Sequence, residues 1–440
     1  AAYHLAARRG VRDVLLADER APLTLTSDKS MECYRNWHAG PDGALVALMN
    51  RSIDLLEEHA VESGNVFRMN RRGYGYVTAD PARVRELEAE ARLAEAQGAG
   101  PLRIHAGAAS DYRPPPPEGW EGQPSGADLI TDPALLRRHF PCLGERTLAV
   151  LHTRRCGAFS AQQLGMYLLE RAREAGVRFA SARVEGIDTA GGRVAGVRLR
   201  AADGTQAAVG TDALVLAPGP YLGALGCMAG LALPVYAEPH PKVAFTDARG
   251  ALPREVPLLI CADAQRIDWS ATERAGLARD PALRPLLEEL PRGAHLRPEG
   301  SAGSRTVLML WTYHAEREEP HWPLPVPKNY AEVVLRGVST MVPALGAYLQ
   351  RLPRPFIDGG FLCKTEDNRP LIGPTPVAGL HLLGAFGGYG LMAAPAAGEL
   401  LAATLTGGAL PDYAPALALA RFAEPAHAAP TAGSGPEGPP

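Results

Sequence analysis

The chain has 440 residues, 46% of them hydrophobic and 21% charged, with a formal net charge of −3. That balance is ordinary for a globular protein and excludes a disordered or collagen-like chain. With no basic excess to hold it, nucleic acid is not an expected partner, and the length favours two interlocked domains over one.

Ala1 to Arg9 reads as a helix stopped by Gly10, and Val11 to Asp18 as a short buried strand ending on an acid. A helix of this kind should follow a strand and a turn, so an upstream strand is expected before Ala1. Residues 43–60 carry apolar side chains near a 3.6 period and read as a helix. Tyr74 to Thr78 is strand-like, 82–97 is a charged helix, and Pro114 to Pro117 lies in a glycine-rich loop. Ala161 to Ala175 is helical, Gly176 ends it, and Val177 to Val184 is a strand. Gly191-Gly192 and Asp203-Gly204 mark hairpin turns around Val194–Leu199 and Ala207–Val209. Asp212 to Gly219 is an apolar strand running into a Pro/Gly turn, as in a sheet covered on both faces.

The stretch 228–358 is proline-interrupted, with one clear strand at Thr306–Trp311 and a helix at 330–342. Leu380 to Leu383 is a last buried strand, followed by the glycine-rich turn 384–390 and a helix to about 406. The tail 425–440 is too poor in apolar bulk to fold. Two uncharged stretches, 213–237 and 382–398, are broken by glycine and proline, so no membrane span is expected. Six scattered cysteines without a C-x-x-C pair argue against a disulfide framework. With no signal region, a cytoplasmic chain is expected, or a mitochondrial one if its source is eukaryotic.

The opening fits the second half of a dinucleotide-binding βαβ unit, with Asp18, or Glu19 beside it, where the ribose acid belongs. The matching glycine motif would lie roughly 20 residues earlier, upstream of Ala1. At the far end, Pro370-Leu371-Ile372-Gly373-Pro374 precedes the run from Gly384 to Glu399. A strand, a glycine turn and a helix start there offer free N–H groups at a positive dipole end. This order resembles the C-terminal signature of the D-amino acid oxidase and sarcosine oxidase superfamily of FAD-dependent oxidoreductases. Gly157-Ala158-Phe159-Ser160 and Ala217-Pro218-Gly219-Pro220-Tyr221 resemble its internal segments.

The resemblance implies a mixed α/β (α+β) fold, in which a Rossmann-like FAD-binding domain (1–65, 150–225 and 360–415) is interleaved with a mainly antiparallel β-sheet substrate domain (66–149 and 226–359). It implies noncovalent FAD held by Asp18, Glu19, Ser27, Lys29, Ser30, Val184, Ala217, Gly219, Phe386, Gly387, Gly388, Gly390, Leu391 and Met392. His314, Tyr389 and Arg35 are the implied catalytic residues, with His314 able to orient an amine or take a proton. The substrate would be a small amine or amino acid whose C–N bond is oxidised to an imine, with oxygen or a carrier accepting the electrons.

Several positions depart from the family pattern. Leu310 and Met392 stand where those oxidases place lysines, and Tyr389 replaces a histidine. Without those cations, oxidase and dehydrogenase both remain open, and Arg35, Lys364 or Arg369 would have to meet a substrate carboxylate. Trp37-His38 resembles the pair through which dimethylglycine dehydrogenases attach flavin covalently, and Cys363 sits near the sarcosine oxidase cysteine, with Gly360 at the matching place. A non-catalytic scaffold, or a chain unable to hold FAD, is the alternative reading. No metal site is expected, since His139, His152, His240, His295 and His321 lack ligand spacing. Asp111, Glu366 and Asp367 read as solvated turn residues.

Overall fold

The computed structural model describes residues 1–38, 40–107, 110–301, 303–314, 316–351 and 353–423. The tail 425–440 lies outside the described residues. The fold is mixed α/β, built around one large sheet and a group of smaller ones.

The large sheet has nine strands, in the order Phe356–Lys364, Tyr236–Thr246, Thr306–Leu310, His295–Glu299, Leu258–Cys261, Tyr74–Thr78, Ala149–Thr153, Ala127–Ile130 and Leu102–His105. All of its pairings are antiparallel except Leu258–Cys261 with Tyr74–Thr78 and Leu102–His105 with Ala127–Ile130. Residues 150 and 360, the expected domain boundaries, both fall inside strands of this sheet.

Beside it, Leu15–Asp18 pairs in parallel with Arg178–Ala190, which continues antiparallel into Arg193–Ala201 and Gln206–Gly210. Gly191 and Gly192 take φ of 59° and 76° at the first hairpin, the left-handed pair that a tight turn between twisted strands requires. A third sheet joins Leu214–Leu216 in parallel to Leu380–Gly384, with Leu371–Pro374 on the other side. The short strand Cys33–Arg35 pairs with Cys156–Ala158.

Two helices carry the C-terminal turn. The helix Ala44–Ser63 buries Leu48, Met49, Ile53 and Leu56 on one face and ends at Gly64, whose φ of 64° makes the left-handed cap. It packs on the helix Gly390–Leu405, where Arg51 meets both carboxylate oxygens of Glu399 at 2.7 Å. Pro395 lies inside that second helix and cannot donate to the carbonyl one turn back. Ser52 Oγ stands at the same level, donating to Met392 O at 2.5 Å and lying 3.4 Å from Ala396 N.

Some expected elements differ. The opening helix runs over residues 2–8 as expected, but His4–Arg8 is wound as a wider turn, Val11 N reaches Leu5 O at 2.9 Å, and the first strand begins only at Leu15. The strand Tyr236–Thr246 was hidden by Pro239 and Pro241, which normally exclude a central strand. It pairs with Phe356–Lys364 along Tyr236–Ala244 but with Thr306–Leu310 only from Val243 on, so both prolines lie where one edge is unpaired. All six cysteines are free thiols. No helix among the described residues is long and apolar enough to cross a membrane.

Candidate functional site

A cavity of about 1430 Å³ lies between the nine-stranded sheet, the 26–42 segment and the C-terminal glycine turn. It exceeds the roughly 300–1,000 Å³ of an ordinary small-molecule cleft, leaving room for a large cofactor together with a substrate. Ser27, Lys29, Ser30 and Arg35 line it from the N-terminal side, and Ala217 and Gly219 from the end of the strand Leu214–Leu216. Phe386, Gly387, Gly388, Tyr389, Gly390, Leu391 and Met392 form the opposite wall.

Not every expected residue is there. Asp18 and Glu19 are exposed at the end of the first strand, Asp18 accepting from Arg20 N at 2.9 Å. Val184 is half-buried on the neighbouring strand, and none of the three lines the cavity. His314 is also off the wall. Its ring packs against Tyr313 at 4.7 Å and Tyr330 at 6.0 Å, and burial pulls its pKa down to about 4.

The loop that includes Ser27 is pinned on several sides. Thr26 Oγ1 donates to Phe361 O at 2.8 Å, and a Cβ at Gly360 would stand 2.7 Å from Thr26 Cα, so only glycine lets loop and strand meet this closely. Lys29 bridges Asp28 at 2.7 Å and Asp358 at 2.9 Å, and Lys242 donates to Ser30 O at 2.8 Å. Glu32 follows at φ 53°, an uncommon conformation for a residue with a side chain. Burial pushes its carboxyl up to about 7 against the opposing charge of Arg297.

The glycine turn is equally constrained. Gly387 has φ 56°, and a Cβ there would lie 2.9 Å from Asn368 Oδ1. Tyr389 donates its hydroxyl to Asn368 O, and burial holds that phenol well above its ordinary range. The helix starting at Gly390 presents its unpaired first-turn N–H groups beside the cavity. Against Tyr389 lies the His38 ring, 5.5 Å away and edge-on. His38 Nε2 is buried without a hydrogen-bond partner, and burial, then Arg35, keeps the ring neutral. A wall with free amides, open backbone at Gly219 and an unsatisfied imidazole nitrogen fits a polar, planar cofactor such as a flavin dinucleotide.

The sheet side supplies two histidines that the sequence pattern gave no role beyond an excluded metal site. His240 and His295 are buried and line the cavity. His240 Nδ1 lies 3.3 Å from Thr312 Oγ1, and its Nε2 is 3.6 Å from Glu238 Oε2, which also meets Lys364 Nζ at 2.7 Å. Burial would raise the Glu238 carboxyl, but the neighbouring His240 ring and the Lys364 charge hold it down at about 2. The alternation Glu238, His240, Lys242 is the period-2 signal that could have disclosed this strand face. Arg35, buried, donates to Tyr76 Oη at 3.0 Å and lies over the Tyr74 ring at 5.9 Å. Lys364 is committed to Glu238, and Arg369 to Asp42 at 2.9 Å. Leu310 and Met392 face the cavity as apolar wall. No cluster of three or more His, Cys, Asp or Glu suited to a metal occurs among the described residues.

A profile of the DAO family, described as FAD dependent oxidoreductase, matches residues 1–404. Among curated protein sequences none matches significantly. The fold is similar to that of L-proline dehydrogenase from P.horikoshii, at 19% identity and TM-score 0.70, covering 96% of this chain and 94% of that one. Glycine oxidase from Geobacillus kaustophilus is similar at 17% identity and TM-score 0.69, over 96% and 94% of the two chains. Iminodiacetate oxidase from Chelativorans sp. BNC1 is similar at 19% identity and TM-score 0.65, over 93% and 92%.

Proposed function

The chain belongs to the DAO family of FAD-dependent oxidoreductases, and from that premise we propose that it oxidises the C–N bond of a small amine or amino acid and passes the electrons to a carrier rather than to oxygen. The observation that carries this reading is the single cavity in which the glycine turn, Arg35 and the two buried histidines of the large sheet meet. The solved structures similar in fold include enzymes named for proline, glycine and iminodiacetate, which supports an amino-acid or amine substrate.

Ser27, Ser30, Ala217, Gly219 and the turn Phe386–Met392 hold FAD, noncovalently, with Lys29 bracing the loop through its two carboxylates. Asp18, Glu19 and Val184 do not line the cavity; they belong to the neighbouring sheet and its end, and would hold the adenosine end of FAD. FAD held there would supply the hydride acceptor for oxidation of the substrate C–N bond to an imine, which water then hydrolyses.

The protein contributes position and protonation. Arg35, held by Tyr76 and Tyr74, presents a guanidinium to a substrate carboxylate, a charge-assisted contact that fixes the substrate's orientation. His240 takes the proton from the substrate ammonium, with Glu238 behind it stabilising the imidazolium that forms. Tyr389 and Phe386 wall the cavity and exclude water. Leu310 and Met392 place no cation at the two positions where the family's oxidases use lysine, which supports a carrier as acceptor, because developing superoxide needs nearby positive charge. Cys363 lines the same wall, but burial pushes its thiol up to about 11, away from the thiolate that a covalent link would need.

The test is a visible spectrum of the purified protein before and after acid precipitation, followed by amine turnover with an artificial acceptor and with oxygen. Flavin released to the supernatant and turnover with the acceptor alone are expected. A colourless protein, or equal rates with oxygen, would overturn the corresponding part.

A further inference from the structure

Several of the charges on the cavity wall are matched within the protein. Among its carboxylates, Asp42 meets Arg369 at 2.9 Å and Glu90 meets Arg83 at 2.7 Å, while Glu366 and Asp367 meet Arg317 and Arg421, each at 2.7 Å. Among its cations, Lys29 lies between Asp28 and Asp358. Arg292 differs. It lines the cavity half-buried, and no described residue gives its guanidinium a carboxylate or a hydrogen-bond acceptor.

Its backbone is nevertheless firmly placed. The carbonyl of Pro291 accepts from the fully buried Trp311 indole at 2.9 Å, and Gly293 N donates to Cys261 O at 2.9 Å. A guanidinium held in a concave, partly desolvated position without an anion is unfavourable until one arrives. Its planar fork of donors matches a carboxylate in two-point contact.

The sheet register sets a scale. Tyr76, which holds Arg35, lies opposite Ile260, and Ile260 lies opposite His295, three residues after Arg292. Residues opposite one another on neighbouring strands share a face, so Tyr76 and His295 stand on one face two strand spacings apart, about 10 Å.

Building on the amine-oxidoreductase reading of this cavity, we propose that Arg292 binds a second anionic group of the substrate, beyond the carboxylate received at Arg35. The preferred amines are then dicarboxylic, with an acidic group at each end and the reacting C–N bond between or beside them. Amines with one carboxylate leave Arg292 unmatched and are poorer substrates.

The test uses the full chain as purified and a probe that cannot be oxidised. Glutarate and its monomethyl ester, alike in shape and differing by one charge, are titrated calorimetrically into the wild type, Arg292→Gln and Arg292→Lys, with melting temperatures as a folding control. Glutarate is expected to bind the wild type about tenfold more tightly than the ester, a difference of about 1.4 kcal/mol. Arg292→Gln should abolish that preference and Arg292→Lys should restore much of it. Equal affinities in the wild type, no measurable glutarate binding, or a preference retained in Arg292→Gln would overturn the assignment.

Turnover of sarcosine and iminodiacetate, measured alongside, separates the two claims. Amine oxidation without any charge preference keeps the oxidoreductase and removes the role of Arg292. A preference that depends on Arg292, with no amine oxidised, keeps the anion site and removes the amine reading.

Discussion

The hydroxyl of Ser52 donates to the main-chain carbonyl of Met392 at 2.5 Å, across 340 residues of sequence. The bond ties the helix Ala44–Ser63 to the first turn of Gly390–Leu405, at the level where Pro395 interrupts the helix ladder. The wall of the cofactor cavity is therefore positioned from outside the cavity.

Ser52→Ala leaves the carbonyl of Met392 in an apolar interior without this donor. We expect a loss of about 0.5–1.5 kcal/mol in denaturant unfolding, the net worth of one buried hydrogen bond. We also expect the variant to release FAD more readily, measured as flavin retained through gel filtration.

Glu32 gives stability a pH dependence of definite sign. Its carboxyl titrates at about 7 in the folded chain against 4.5 ordinarily, because of burial, so the folded state holds the proton over that window and the unfolded state does not. Stability falls as pH rises from 4.5 to 7, by on the order of 2–3 kcal/mol at full size. In Glu32→Gln that component disappears. Melting curves of the two proteins should converge near pH 4.5 and separate in favour of the variant toward pH 7.5, and parallel curves would refute the assignment.

Gly360→Ala would push a methyl group to 2.7 Å from Thr26 Cα, a backbone atom that cannot rotate away. The expected result is a strained loop costing about 1–3 kcal/mol, with weakened FAD binding because Ser27 and Ser30 move with Thr26. Flavin stoichiometry after dialysis checks it.

His240→Gln tests the proposed proton acceptor. The variant should keep its flavin and its affinity for a carboxylate inhibitor while kcat falls by about 10²–10⁴. A drop in kcat/KM carried entirely by KM would mean that His240 binds substrate and takes no proton.

Local patterns were readable from the sequence where one segment carries its own signal. Tyr74–Thr78 has the bounds its β-rich composition suggests, and the glycine run after Leu380–Gly384 leads into a helix as its residues imply. What escaped was distributed. Pro239 and Pro241 masked the strand that carries Glu238 and His240, because only the pairing of the neighbouring strands shows that one of its edges is free there. The family resemblance implies a catalytic role for His314, yet the chain turns at that point and packs its ring on Tyr313 and Tyr330. Arg292 sits in a bend with no pattern around it, and its relation to Arg35 exists only across three strands.

The cavity's walls also set an order of events in synthesis. Its N-terminal side is made early, but Gly360, which receives Thr26, and the turn that faces Arg35 come from the last quarter of the described chain. Such long loops must close before their contacts repay the entropy, and chains dominated by distant pairings form slowly. A nascent chain that has reached residue 350 still lacks that wall, and the apolar flanks of the cavity stay uncovered until it is made. A cavity walled by residues 360–392 can close around a cofactor only after those residues have been made.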